Sequence, residues 1–133
     1  STFFLADLAM RLGDNVKLDF CQVSSYNGGK SSTGVVQIRK DLDNNIEGRN
    51  VLLVEDIVDT GLTLSHLKQL FGVRHPNTLK VVSLLSKPEA RTHEALIDYV
   101  GFEIANEFVV GYGLDYKERY RNLPYIAILQ DPA

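Results

Sequence analysis

The chain has 133 residues, of which 44% are hydrophobic and 23% are charged, an ordinary composition for one globular domain with a single core. Its net charge of −3 argues against binding to nucleic acids or to anionic membrane surfaces, because such binding uses basic faces. No apolar run approaches the roughly 20 residues that span a bilayer. The single cysteine, Cys21, cannot form an internal disulfide, and we expect a cytoplasmic protein.

The first part of the chain predicts a helix followed by a long hairpin. Residues 2–12 place apolar side chains on one helical stripe, and Gly13 is expected to end that helix. Alternating apolar residues in 16–23 predict a strand, and 35–39 predict a second one. The polar segment 24–34 between them is interpreted as a flexible loop, either functional or a simple connector. A doubly wound fold usually begins with a strand, so we expect that an N-terminal piece is absent from this chain.

An acidic segment follows the most apolar strand in the sequence. Val51–Val54 predict a buried parallel strand, and the carboxylates Glu55, Asp56 and Asp59 follow it directly. Residues 60–63 then bring hydroxyl groups and a glycine to the start of a helix. Ligands of such folds bind at the carboxyl ends of strands, and helix N-termini there bind phosphate, which indicates a metal-assisted site for a phosphorylated sugar. The alternative is an acidic loop in which Asp59 or the threonine after it caps the helix.

The second half of the chain continues with a helix and further strands. A helix is predicted first, because apolar side chains recur at helical spacing at Leu64, Leu67, Leu70 and Phe71. Residues 79–85 predict a strand parallel to the first one, because the connection between them is a helix. Lys87 then lies at the same rim of the sheet as the acidic segment. Short late strands are predicted at 99–104, 108–110 and 125–129.

Four stretches resemble a known family. VLLVEDIVDTGLTL closely resembles the signature of type I phosphoribosyltransferases. LLSKP (84–88), GFEI (101–104) and EFVVGYGLDY (107–116), continued through 118–125, resemble the hypoxanthine (hypoxanthine-guanine) branch. The resemblance implies an α/β fold with a mainly parallel twisted sheet, flanking helices and a flexible hairpin loop over the site. It also implies a single phosphoribosyltransferase domain over 1–133, with 24–34 as the active-site loop.

The resemblance also implies an activity in purine salvage. Enzymes of this branch join hypoxanthine or guanine to phosphoribosyl pyrophosphate, which yields IMP or GMP and pyrophosphate. Mg²⁺ is the implied cofactor, since a hard cation bound by few carboxylates suits a pyrophosphate leaving group. A homo-oligomer, either a dimer or a tetramer, is the usual assembly of the family.

The family pattern assigns roles around the sugar and its phosphate. Glu55 and Asp56 are expected beside the ribose hydroxyls and the metal, and Asp115 matches a second metal-associated carboxylate near the purine. Asp59 is the candidate general acid or base at the purine N7. The expected phosphate-binding residues are Asp59, Thr60, Gly61, Leu62 and Thr63.

Further roles concern the purine and the pyrophosphate. Lys87 is expected to donate to the purine O6, Phe108 to stack on the base, and Val109 to read its edge through backbone groups. Ser25 and Tyr26 match the loop that closes over the site, and Arg121 matches a pyrophosphate contact.

The chain departs from the family pattern at its start. Family members carry a strand and a short Leu-Lys-Gly type loop before the first helix, and neither precedes Ser1. We therefore expect that this chain alone is not fully active.

Two other classes of protein are alternatives. One is a non-catalytic regulator that senses nucleotides in the same site. The other is a receiver-type signalling domain, in which Asp98, ahead of the strand at 99–104, would have to be the phosphoacceptor.

Overall fold

The computed structural model describes residues 1–26 and 35–130. Its helices are α1 (Thr2–Ala9), α2 (Leu62–Gly72) and a short 3₁₀ turn (Pro88–Ala90). Its strands are β1 (Gln22–Tyr26), β2 (Val35–Lys40), β3 (Asn50–Val58), β4 (Thr78–Ser86), β5 (Tyr99–Glu103), β6 (Val109–Val110) and β7 (Ala127–Ile128). Among the described residues, no helix combines the length and the apolar character needed to cross a membrane.

A parallel sheet of three strands in the order β3-β4-β5 forms the centre of the described structure. Strands β3 and β4 pair from Asn50 beside Thr78 to Val58 beside Ser86. Helix α2 connects the two strands, so the strand–helix–strand unit predicted around the acidic segment is confirmed. Strand β4 extends one residue beyond the predicted 79–85 at each end.

Helix α2 packs onto this sheet through the predicted apolar stripe. Leu64, Leu67 and Phe71 are buried, and Leu70 is partly buried. Six of the buried apolar side chains form two clusters, one of Ile46, Leu67 and Phe71 and one of Val58, Leu64 and Val81. Burial of each large side chain contributes about 1.5–3 kcal/mol to folding. The core therefore fixes where the N-terminus of α2 lies relative to the end of β3.

The first hairpin differs from its prediction in where its strands begin and end. Strands β1 and β2 are antiparallel, as predicted, but β1 starts at Gln22 and runs to Tyr26, inside the predicted loop 24–34. The rest of that loop, 27–34, lies outside the described residues.

The strand predicted over 16–23 is wrong for 16–21. Val16, Leu18 and Phe20 are 43%, 49% and 47% exposed. The Asp19 carboxylate accepts the backbone N–H groups of Phe20, at 2.8 Å, and of Asn44, at 3.0 Å. Because these side-chain bonds occupy backbone donors, they compete with a strand ladder.

Helix α1 is shorter than the predicted 2–12. It ends at Ala9, where the hydrogen bonds become i→i−3: the N–H of Arg11 donates to Leu8 O at 3.0 Å and that of Leu12 to Ala9 O at 3.2 Å. Gly13 is therefore not the residue that ends the helix, because the tightened last turn has already left the α conformation.

The late strands are confirmed in place and shortened in length. They cover Tyr99–Glu103, Val109–Val110 and Ala127–Ile128. Asp98, the residue required by the receiver-type alternative, has a structural partner: its carboxylate accepts the N–H of Val81 at 2.7 Å, and its own N–H donates to Val81 O at 3.0 Å. Asp98 thus continues the pairing of β4 with the chain that leads into β5.

Candidate active site

Residues 59–63, which comprise the loop after β3 and the first two residues of α2, are the predicted phosphate-binding residues and are called the phosphate loop below. Strand β3 ends at Val58, and Gly61 is the N-cap of α2 in the left-handed conformation, with φ 88°. The N–H of Leu62 lies 3.3 Å from Thr60 Oγ1, and the first helical bond runs from Ser65 to Gly61 O at 2.9 Å. The alternative in which Asp59 or Thr60 is the N-cap is therefore wrong. The next amides of the first helical turn have no intrahelical acceptor, and such amides bind anions.

Gly61 is required by both its backbone conformation and its surroundings. Its φ lies in the region that L side chains rarely adopt. A Cβ at this position would lie 2.7 Å from the carbonyl oxygen of His93 and 3.0 Å from Cδ of Arg91. The phosphate loop and the segment 91–93 are thus in direct contact through this glycine.

The acidic pair lies inside β3, so the strand continues beyond the apolar run that predicted it. Burial, with the neighbouring Asp56 carboxylate, raises the pKa of Glu55 to about 7. The Asp56 carboxylate accepts the N–H of Ile57 at 2.7 Å and lies 3.5 Å from the amino group of Ser1. The start of α1 therefore lies at this end of the sheet.

Lys87 is positioned by both its backbone and its side chain. Its N–H donates to Val58 O at 2.9 Å, which extends the contact between β3 and β4 past the end of β4. The residue is only 6% exposed, and Nζ lies 3.8 Å from Oδ2 of Asp59. A buried ammonium needs a charged or hydrogen-bonding partner. The structure thus brings together the predicted O6 donor and the predicted acid or base.

The remaining predicted residues lie in the segment 108–121. Arg121 Nη2 lies 3.4 Å from the Asp115 carboxylate, and Arg121 Nη1 donates to Gly113 O at 2.7 Å. The predicted pyrophosphate contact and the predicted second metal carboxylate are therefore paired with each other. Phe108 is 42% exposed, and its ring contacts Tyr116 edge-to-face at 5.6 Å between centroids. A ring this exposed is not a core phenylalanine.

Val109 pairs with Ile128 in the hairpin of β6 and β7. It also lines a cavity of about 160 Å³, together with Leu85, Ile104 and the apolar residues of β7. Of the predicted purine-binding residues, only Val109 is in this lining, so the cavity lies beside the predicted base position.

The structure describes only part of the hairpin that was predicted to close over the site. The backbones of Ser25 and Tyr26 belong to β1, opposite Val36 and Val35, while 27–34 lie outside the described residues. In 1–26 and 35–130, no three acidic, histidine or cysteine side chains converge as a metal site. Mg²⁺ is usually bound by one or two carboxylates together with substrate oxygens and water, and the pair Glu55 and Asp56 supplies such carboxylates.

Sequence reasoning missed the segment behind the phosphate loop. The backbone N–H groups of Thr92, at 2.9 Å, and of His93, at 3.0 Å, both donate to the carbonyl oxygen of Thr60. The sequence carried no signal for it, because no pattern links Arg91, four residues after Lys87, to the acidic segment.

It also missed a contact of α1. The hydroxyl of Tyr112 bonds to the Asp7 carboxylate, and its ring stacks on Phe3. This contact joins α1 to the segment 108–121.

Residues 1–117 match the family model described as the phosphoribosyl transferase domain. The chain is 52% identical over 128 residues to the hypoxanthine-guanine phosphoribosyltransferase of Streptococcus pyogenes serotype M3, which covers 96% of this chain and 71% of that protein. The chain belongs to the hypoxanthine-guanine branch of the phosphoribosyltransferase family. The predicted resemblance is thereby confirmed.

Solved structures of this family superpose on the chain. A hypoxanthine phosphoribosyltransferase from Staphylococcus aureus gives a TM-score of 0.93 at 51% identity and covers 98% of this chain and 71% of that one. A hypoxanthine-guanine phosphoribosyltransferase from Bacillus anthracis gives 0.91 at 49% identity, with 97% and 76% covered. The predicted type I phosphoribosyltransferase fold is confirmed.

Proposed function

We propose that this phosphoribosyltransferase chain joins hypoxanthine or guanine to carbon 1 of phosphoribosyl pyrophosphate, forming IMP or GMP and releasing pyrophosphate. The observation that carries the proposal is the distance of 3.8 Å between Lys87 Nζ and Asp59, directly beside the phosphate loop. With this spacing, a hydrogen-bond donor, a carboxylate and the proposed anion site would all be within the reach of one nucleotide.

The phosphate loop would bind the 5′-phosphate of the sugar. Backbone N–H groups at the start of α2 point out of the helix, and the partial positive charge of that helix end favours a dianion. Thr60 and Thr63 add hydroxyl donors at the same place. Anchoring the phosphate in this way would hold the sugar at the carboxyl end of β3.

Lys87 would select the base. A 6-oxopurine offers a carbonyl oxygen to the ammonium, whereas adenine would place an amino donor against a donor, and an unpaired buried donor is costly. Asp59 would accept or return the proton at N7, and its closeness to Lys87 lets both groups contact neighbouring atoms of one purine ring. The exposed ring of Phe108 is suited to stacking on the base.

Mg²⁺ is the proposed cofactor, and Glu55 and Asp56 would help to hold it beside the sugar. When bound, the ion supplies positive charge that offsets the charge growing on the departing pyrophosphate. Burial and the neighbouring Asp56 carboxylate raise the pKa of Glu55 to about 7, and a cation held beside it would favour the ionised form. Asp115 as a further metal contact, the loop role of Ser25 and Tyr26, a homo-oligomeric assembly and a cytoplasmic location stay predictions.

The test is a spectrophotometric assay with Mg²⁺ and phosphoribosyl pyrophosphate, in which hypoxanthine, guanine, xanthine and adenine are offered in turn. We expect turnover with hypoxanthine or guanine and none with adenine. Turnover of adenine alone would contradict the role of Lys87. Binding of IMP or GMP without turnover of any base would instead favour the nucleotide-sensing alternative.

A further inference from the structure

The segment that follows β4 supports the phosphate loop from behind. Two backbone N–H groups, those of Thr92 and His93, donate to the carbonyl oxygen of Thr60 at 2.9 and 3.0 Å. Because a peptide unit is planar, fixing this carbonyl also fixes the direction of the N–H of Gly61 on the opposite side. The orientation of an amide in the phosphate loop is therefore set by residues outside the loop.

Arg91 connects this segment to the end of β4. Its Nη2 donates to Oγ of Ser86 at 2.8 Å, and Ser86 is 3% exposed. Its side chain lies against Gly61, where an added Cβ would be 3.0 Å from Cδ. Within the described residues, its Nε is buried and has no hydrogen-bond partner. The Arg91 side chain thus lies between Ser86 and the phosphate loop. It keeps this position although its buried Nε–H donor has no hydrogen-bond partner among the described residues.

We propose that Arg91 is a positioning residue for the phosphate loop, an inference that rests on the proposed function. The bond to Ser86 holds the start of the segment 91–93, and the two N–H groups of that segment then hold the Thr60 carbonyl. A guanidinium reaches Ser86 while its stem remains against Gly61, whereas the ammonium of a lysine is a point charge with a different reach. Arg91 would therefore influence phosphate binding through geometry, and the same positive charge on a lysine would not replace it.

The experiment compares Arg91→Lys, Ser86→Ala and the double variant with the unaltered chain. Arg74→Lys is the matched control, because Arg74 also makes close side-chain hydrogen bonds, to Asp41, but lies after the C-terminal end of α2, far from the phosphate loop. The measured quantities are KM for phosphoribosyl pyrophosphate, KM for the purine, and Kd for ribose 5-phosphate and GMP by calorimetry. Thermal unfolding of each variant shows that it is folded at the assay temperature.

We expect Arg91→Lys to raise KM for phosphoribosyl pyrophosphate, and Kd for ribose 5-phosphate, by about tenfold, the size of one lost charge-assisted hydrogen bond. KM for the purine should change by less than about twofold. Ser86→Ala should act in the same direction, and the double variant should be no worse than Arg91→Lys, because both changes remove the same interaction. Arg74→Lys should leave all four constants unchanged.

Two results would overturn the role of Arg91. One is unchanged binding of ribose 5-phosphate by Arg91→Lys, which would mean that the guanidinium contact with Ser86 does not set the phosphate affinity. The other is an equal loss of purine and phosphate affinity, which would mean that Arg91 acts through the whole fold. If the unaltered chain turns over no base, the proposed function fails, but the binding of ribose 5-phosphate still decides the role of Arg91. If the unaltered chain binds neither ligand, the phosphate-loop assignment on which both proposals rest is wrong.

Discussion

Replacing Gly61 by alanine adds one methyl group to the phosphate loop, at a position where two separate costs arise. The first is conformational, because φ is 88° and an L residue in the left-handed region is less stable by about 1–2 kcal/mol. The second is steric, because the new Cβ would lie 2.7 Å from the carbonyl oxygen of His93. That oxygen belongs to the backbone and cannot turn away as a flexible side chain could.

Gly48 provides the control that separates the two costs. Its φ is 72°, also left-handed, and nothing lies within 4 Å of an added Cβ. Gly48→Ala therefore carries the conformational cost alone. The entropy that alanine removes from the unfolded chain is the same for both variants and cancels in the comparison.

We expect Gly61→Ala to lower the free energy of unfolding by about 2–5 kcal/mol, against about 1–2 kcal/mol for Gly48→Ala, since overpacking adds about 1–3 kcal/mol. Urea unfolding of both variants measures this difference. If the loop instead moves to relieve the contact, stability recovers and the loss should appear as weaker binding of ribose 5-phosphate, by about tenfold or more. Equal stability of the two variants together with unchanged phosphate affinity would refute the reasoning.

Three further predictions concern the base site and the N-terminal segment. Asp59→Asn should lower turnover by roughly 10²–10⁴-fold while GMP binding is kept, as for a proton-transfer group; unchanged turnover would rule out that role. Lys87→Ala should raise KM for hypoxanthine and leave KM for phosphoribosyl pyrophosphate nearly unchanged, and an equal rise in both would mean that Lys87 acts through the fold. Burial alone would raise the pKa of Asp19, but the donors of Asp43 and Asn44, together with its neighbour's N–H, lower it to about 2. The contribution of the Asp19 carboxylate to stability is therefore fully present above about pH 4 and is lost as the pH falls through 2. Asp19→Asn should lower the free energy of unfolding in urea by about 1–2 kcal/mol at pH 7 and by progressively less below pH 4. A loss of stability that does not depend on pH would contradict this.

The centre of the fold could be predicted because several signals agree there. The apolar run at Val51–Val54, the stripe of α2 and the second apolar run at 79–85 all indicate one strand–helix–strand unit, and β3 and β4 pair as that unit requires. The prediction failed for 16–21, where alternation alone suggested a strand. Alternation describes only the polarity of the side chains. It cannot indicate that the Asp19 carboxylate accepts the backbone N–H groups of Phe20 and Asn44.

The candidate site could be predicted where its residues follow neighbouring parallel strands. The acidic segment and Lys87 end neighbouring parallel strands, so topology alone brings them to one rim. Phe108, Asp115 and Arg121 were found only through the resemblance to a family, because nothing in their local pattern distinguishes them from core or surface residues. Arg91 could not be found in either way, since its role depends on contacts with Ser86 and Gly61 that form only in the folded chain.

The hydrogen bond from Lys87 N–H to Val58 O has a consequence for which ligands fit. Lys87 and the phosphate loop are both attached to the paired ends of β3 and β4, so the spacing between the base anchor and the phosphate anchor is set by backbone register. Paired strands can change register only in steps of whole residues, and one residue along a strand is about 3.3 Å. The backbone positions of the two anchors therefore cannot slide by smaller amounts while the strands stay paired. If both groups bind as proposed, a molecule that joins a purine to a phosphate through a linker much longer or shorter than ribose would reach one anchor and miss the other.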